Sequence, residues 1–259
     1  MGGNFFSEIW NRRSLIILFA FNDVKLRYRN SALGFLWSFL EPLLMLAVLY
    51  FIFGSILKSD IPNYPIYLLI GLIIWYMFSR SSTLGLTSLL DKAGIIQKIY
   101  FRRELVVISS CLTAFIMMGF EFAAFAVFVF AFQFVPPATI LLLPLLLVDL
   151  FILSLGIALL LSVLTVYFRD MKFIWLVLLQ AGFFLTPIFY SLDMFPEGIR
   201  KILQINPMVP ILDTAHDLVL YNSLPSINTT LYIIISTCAI FAIGYIVFRV
   251  KDKKIIEEL

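Results

Sequence analysis

TILLLPLLLVDLFILSLGIALLLSVLTVYF, residues 139–168, contains a single charged side chain, Asp149. At 1.5 Å of rise per residue a helix of this length reaches about 45 Å, more than enough to cross ~30 Å of hydrocarbon. Read on its own, the stretch Thr139 to Phe168 predicts a transmembrane helix. Two similar runs lie close to it in the chain, Leu105 to Phe134 before and Phe173 to Tyr190 after. Further out are Gly34 to Leu57, Pro65 to Leu89 and Thr229 to Phe248, which makes six predicted spans.

Composition agrees with this reading. The chain is 62% hydrophobic and 14% charged, where soluble domains run near ~45–50% and ~25%. A water-soluble fold could not hide that much apolar surface, so the expected class is an all-α polytopic membrane protein, residues 1–259 forming one transmembrane domain. Met1 to Trp10 lacks the charged start, apolar core and cleavage site of a signal peptide, so the N-terminus is expected to stay where it is made.

Charge sets the orientation. With both termini in the cytoplasm, fifteen of the nineteen Lys and Arg residues fall on the cytoplasmic side. Lys58, Arg200 and Lys201 remain outside, and Arg80 lies within a span. The opposite orientation violates the positive-inside rule at every connection.

Three regions are neither plain spans nor plain loops. Residues 4–31 place Phe5, Phe6, Ile9, Trp10, Arg12 and Arg13 ahead of Leu15 to Phe21, an apolar stretch too short to cross. This predicts a helix lying in the cytoplasmic interface. Residues 90–104 form a charged cytoplasmic connection with Ile95, Ile96, Ile99 and Tyr100 on one short helical face. That face suits a groove on a partner protein, the alternative being a loop resting on the membrane. Residues 191–228 hold Pro196, Pro207, Pro210 and Pro225 among apolar pieces too short to span. Two brief helices, Gly198 to Ile205 and Met208 to Tyr221, are expected to form an outer re-entrant hairpin broken at Asn206-Pro207.

The sequence offers little chemistry. No GxxxxGK[ST] phosphate loop occurs, and no Gly-Lys dipeptide at all, so ATP is not bound here through that motif. There is no HExxH or cysteine pair; Cys111 and Cys238 fall in apolar runs and read as small buried residues, and no metal is expected. His216, the single histidine, sits near Asp213 and Asp217 and reads as part of a polar surface cluster, with a proton relay as the alternative. No catalytic residues are expected.

Arg80, Glu121 and Asp149 are the ionisable residues expected at depth. Counting along the helices puts the two acids at similar height with Arg80 roughly 2–5 Å deeper, so one cation could neutralise one or both. A structural ion pair, a proton pathway and the lining of a hydrated passage all fit the trio. Phe35, Trp37, Phe39, Phe183, Phe184 and Tyr190 are candidate pathway aromatics, since flat apolar faces can hold sugar rings.

Arg27 to Pro42, RYRNSALGFLWSFLEP, resembles the opening signature of ABC-2 type polysaccharide export permeases, the Wzm- and TagG-like subunits that export O-antigen, teichoic acid and related glycans. Tyr167 to Met171 (YFRDM), Thr186 to Pro196 (TPIFYSLDMFP) and Asn206-Pro207-Met208 follow in the family's order. The resemblance covers nearly the whole chain. It implies a non-catalytic permease that pairs with a second copy and with two copies of an ABC ATPase, which carry the ATP and Mg. The implied substrate is a lipid-linked glycan, among membrane lipids and without nucleic acid, in a bacterial or archaeal inner membrane.

By the same resemblance Phe5 to Phe21 and Asp91 to Arg103 contact the ATPase, with Ile95, Ile96, Ile99, Tyr100 and Arg102 at the dock and Arg169 and Asp170 supporting it. Arg27, Arg29 and Arg80 become candidate contacts for the substrate head-group, with anchoring at the membrane surface as the other role for the first two. A drug or lipid exporter of the same superfamily is the alternative, and a membrane-embedded transferase a remote one.

Overall fold

The computed structural model describes residues 10–29, 33–56, 60–98 and 101–258. Every regular element among them is helical: α1 (Arg13–Tyr28), α2 (Trp37–Leu49, continued by a π-helical stretch Tyr50–Ile56), α3 (Tyr64–Asp91), α4 (Ala93–Ile96), α5 (Glu104–Ala131), α6 (Leu143–Tyr167), α7 (Met171–Leu185), α8 (Glu197–Leu203), α9 (Met208–His216, continued by a π-helical turn Asp217–Tyr221) and α10 (Ile227–Glu258). Five stretches are long and apolar enough to cross a membrane: Trp37–Ile56, Tyr64–Asp91, Glu104–Ala131, Ala138–Tyr167 and Ile227–Asp252.

The fifth expected span differs from a plain helix. Phe173 to Tyr190 is not one helix: α7 has 15 residues and ends at Leu185, about 22 Å of helix against ~30 Å of hydrocarbon. Thr186 precedes Pro187, whose ring disfavours helical backbone in the residue before it, and Thr186 is extended (φ −104°, ψ 138°). The irregular segment that follows borrows partners from α3. Tyr64 Oη donates to Phe189 O at 2.7 Å, and Tyr67 Oη donates to Tyr190 O at 2.7 Å and Pro187 O at 3.3 Å. Non-helical backbone is tolerated at membrane depth where protein satisfies it in this way.

α3 is the axis of the bundle. Of its most apolar window 78% is buried, against 17% for Trp37–Ile56, so α3 is enclosed by protein whereas α2 leaves most of its surface open. α3 packs on α5 and α6, α10 lies along α6, and α1 crosses α5. The α6–α10 crossing is close because glycines meet there. A Cβ on Gly156 would sit 2.6 Å from Phe241 Cα, and one on Gly244 would run into the Gly156 carbonyl. Small residues let helix backbones approach where no hydrophobic driving force separates lipid from protein.

Polar contacts tie the helices together at both ends of the bundle. At the basic end Lys92 Nζ meets Asp23 at 2.6 Å, Arg103 pairs with Asp252, and Glu104 lies between Arg102 at 3.4 Å and Arg249 at 3.5 Å. At the proline-rich end Thr139 Oγ1 donates to Leu218 O at 2.8 Å and Tyr232 Oη to Ile205 O at 2.6 Å. The brief helices expected in 191–228 are α8 and α9, and Asn206 Oδ1 accepts from the Met208 N–H at their break.

Of the two helices expected at the basic end, one is shorter than expected. The helix expected across 90–104 is the single turn α4, because α3 runs on to Asp91 and α5 begins at Glu104. The interface helix expected within residues 4–31 is α1 where it is described, Arg13–Tyr28; Phe5, Phe6 and Ile9 lie outside the described residues. Ile16, Ala20 and Val24 are buried at a spacing of four, while Trp10, Leu18 and Phe21 stay exposed. α1 thus rests on α5 by one face and presents apolar side chains on another.

Candidate functional site

α2, α3 and α5 bring three charges together. Arg80 Nη1 bonds Glu121 Oε1, and Arg80 Nη2 meets Glu41 Oε2 at 3.1 Å. The Glu121 side chain is fully buried and its Oε2 has no partner among the described residues, whereas the Glu41 side chain is 49% exposed. The Arg80 guanidinium also lies over the Tyr76 ring, 5.5 Å from its centre. A single arginine therefore serves one sealed carboxylate and one that reaches an opening.

That opening is a cavity of about 640 Å³ lined by Arg27, Trp37, Glu41, Leu44, Val48 and Tyr76, with Met45 alongside. Its walls are apolar and aromatic with a few charges, the usual make-up of a small-molecule site. α2 supplies Trp37, Glu41, Leu44 and Val48 at helical spacing, so one face of that helix forms a wall. Gly34, just upstream, has φ +49° and nothing within 4 Å of the position a Cβ would take. Backbone conformation rather than crowding selects glycine there, and it turns the chain from α1 into α2.

Of the expected trio Arg80, Glu121 and Asp149, the structure joins Arg80 and Glu121 as an ion pair and leaves Asp149 out of it. Asp149 Oδ2 accepts instead from Thr237 Oγ1 at 2.9 Å, tying α6 to α10. Glu41, which the reading of the sequence passed over, takes its place. A charged residue in an apolar helix just before Pro42 was the available signal.

Of the other expected pathway residues, Arg27 and Trp37 line the cavity and Arg29 is exposed where α1 ends. Phe39 is half-buried on α2, and the side chain of Phe35 lies outside the described part. Phe183, Phe184 and Tyr190 gather elsewhere, at the proline-rich end, around Phe189; Tyr190 and Phe189 ring centres are 5.1 Å apart, and Phe183 and Phe189 5.9 Å.

The expected dock is divided. Ile95 is exposed, but Ile96 is buried in a cluster with Ile16, Phe101 and Leu105. Arg102 is committed to Glu104, while Arg169 and Asp170 are exposed between α6 and α7; Ile99 and Tyr100 lie outside the described residues.

His216 is not on the surface as expected: it is 1% exposed and stacked on Tyr67 with ring centres 3.6 Å apart. Its Nε2 lies 3.1 Å from Tyr67 O; a carbonyl only accepts, so Nε2 carries the proton. Burial holds the ring well below its ordinary value, at about 3, against the partial support of the Tyr67 carbonyl. A ring that stays neutral and is pinned in this way is a strut between α9 and α3, not a relay. Cys111 is buried as expected, whereas Cys238 is exposed on α10. Among the described residues no group of His, Cys, Asp and Glu is placed to hold a metal ion.

The profile of the family described as ABC-2 type transporter matches residues 15–220. A Klebsiella pneumoniae protein named O-antigen export system permease protein RfbA is 31% identical over 211 residues, 81% of this chain and 82% of its own length. The Myxococcus xanthus protein of the same name is 30% identical over 83% of both chains. The Escherichia coli polysialic acid transport protein KpsM is 24% identical over 89% of this chain and 91% of its own.

Proposed function

Because this chain belongs to the ABC-2 type transporter family, we infer that it is the membrane permease subunit of an ATP-driven exporter of cell-surface polysaccharide. It is a multi-pass inner-membrane protein. The observation that carries the substrate class is the agreement of the O-antigen and polysialic acid permeases over most of this chain, together with a cavity of mixed aromatic and charged lining at its first span.

In this reading the chain crosses six times with both ends in the cytoplasm. α7 completes the fifth crossing by adding the irregular segment 186–190 to its 15 helical residues. α8 and α9 form the re-entrant hairpin at the outer end. A second copy covers the open faces of α2 and α7, where Trp37, Leu44, Val48 and Phe51 on one helix and Phe173, Val177 and Phe184 on the other are exposed. The passage then runs between the copies. Two copies of an ABC ATPase bind from below, near Ile95, Arg169 and Asp170, and supply ATP and Mg.

The Arg80 cluster suits a lipid-linked glycan at its charged link. An anion entering beside Arg27 would compete with the half-exposed Glu41 for Arg80, while Glu121 holds that arginine at depth. Deleting the chain tests the function. Surface polymer should disappear and lipid-linked polymer accumulate inside the cell. Normal surface polymer without internal accumulation, in cells with no second exporter, would overturn it.

A further inference from the structure

At the proline-rich end a second cavity, of about 410 Å³, lies between the end of α7, the hairpin α8–α9 and α3. Asp193, Asp213 and Asp217 line it with Arg200, His216 and Tyr67. Arg200 is paired with Asp193 at 3.1 Å, and among the described residues neither Asp213 nor Asp217 has an ion-pair partner. Burial first, then the neighbouring Asp217 and Asp193, pushes the Asp213 carboxyl up to about 6, with Arg200 opposing.

Two buried atoms of the cavity's lining residues have no partner among the described residues, His216 Nδ1 and Arg200 Nε. They want opposite things. With the ring proton on Nε2, Nδ1 of His216 can only accept, and Nε of Arg200 can only donate. A bare cation satisfies the first and not the second, an anion the reverse. A hydroxyl group does both, and further hydroxyls suit the acceptor-rich carboxylates. The volume falls within the ~300–1,000 Å³ of small-molecule sites, and the described residues provide no metal cage.

We propose that this outer cavity binds one polyhydroxylated ring, a sugar unit, through His216, Arg200 and the carboxylates of Asp213 and Asp217. That the sugar belongs to the exported polymer rests on the exporter reading above. The site would then hold the leading part of the glycan where it leaves the membrane.

The test uses the full chain with its ATPase in nanodiscs and three separate probes, methyl α-glucoside, galactose and N-acetylglucosamine, followed by saturation-transfer NMR at millimolar sugar. At least one probe should receive saturation. The isosteric pair Asp213→Asn with Asp217→Asn should weaken that signal roughly fivefold or more, as lost charge-assisted hydrogen bonds do, with the variant's elution and melting unchanged. No signal from any probe means that water alone fills the cavity and overturns the proposal. So does a signal that survives the double variant, or one displaced by KCl or spermidine, which would mark a cation site. Surface polymer in the deletion strain is scored separately. Normal surface polymer there sinks the exporter reading, and the NMR result still decides the site.

Discussion

Replacing Arg80 with methionine removes the one cation from the α2–α3–α5 cluster while roughly keeping its bulk. Glu121 is then left with a fully buried side chain whose second oxygen already lacks a partner. Stranding a buried charge costs about 3–5 kcal/mol. Glu41, half exposed, can turn back to water, and its loss adds under ~1 kcal/mol. At about 2–4 °C per kcal/mol for a chain of this size, Arg80→Met should lower the melting temperature by roughly 6–24 °C. Glu121→Gln keeps an acceptor oxygen and leaves Arg80 its bond to Glu41, so its cost should stay near ~1–2 kcal/mol. Arg80→Met combined with Glu121→Leu should recover most of the loss, since an apolar replacement of a buried pair is often close to neutral. The assay is thermal melting of the purified permease followed by size-exclusion fluorescence, read as a double-mutant cycle. If Arg80→Met melts within about 2 °C of the parent chain, or the double variant is no better than the single, the cluster is not the buried pair described here.

Further expectations concern other parts of the molecule. Gly244→Leu should drive α6 and α10 apart and abolish monodisperse protein on a sizing column, whereas Gly94→Leu, with open space around its Cβ position, should not. His216 is held at about 3 in the folded chain against about 6.5 unfolded. The unfolded chain therefore binds the extra proton in that window, and stability present above pH ~6.5 is lost as pH falls toward the folded value, by up to ~1.4 kcal/mol per unit. The melting temperature should accordingly drop more from pH 7 to pH 5 in the parent chain than in His216→Gln; equal slopes would refute the assignment. Ile95→Asp should uncouple ATP hydrolysis from export in a stable protein, while Ile96→Asp should lower the melting temperature by reaching into the buried cluster. Cysteines placed at Asp60 and Glu197 should react with impermeant thiol reagents from outside the cell, and those at Asp91 and Arg169 should not; the reverse pattern would overturn the orientation.

Composition made the long helices legible, because runs such as Thr139 to Phe168 admit only one solvent. The end of α7 was not read, although its cause is local: Thr186-Pro187 stops the helix, and Tyr64 and Tyr67, far away in the chain, make the stop affordable. Counting along a helix gives height in the bilayer but not direction around the axis. That is why Asp149 was grouped with Arg80 when it turns toward Thr237 instead. Glu41 was overlooked because it sits inside a segment read for its resemblance rather than for its charge. His216 misled in another way. Its neighbours Asp213 and Asp217 suggest a wet surface, and only the packing of α9 on α3 shows the ring stacked inside.

The elbow after Leu185 has a mechanical consequence. Within a helix each backbone bond is locked to its neighbours, and breaking one begins to unravel a turn. The carbonyls of Pro187, Phe189 and Tyr190 are fastened instead by two tyrosine hydroxyls on another helix. Those hydroxyls sit on buried rings, and the bonds they make belong to no helical ladder. The joint is therefore a buttonhole rather than a seam: the proline-rich cap is held to α3 by side chains alone, so its fastening is independent of the ladders that keep every long helix whole.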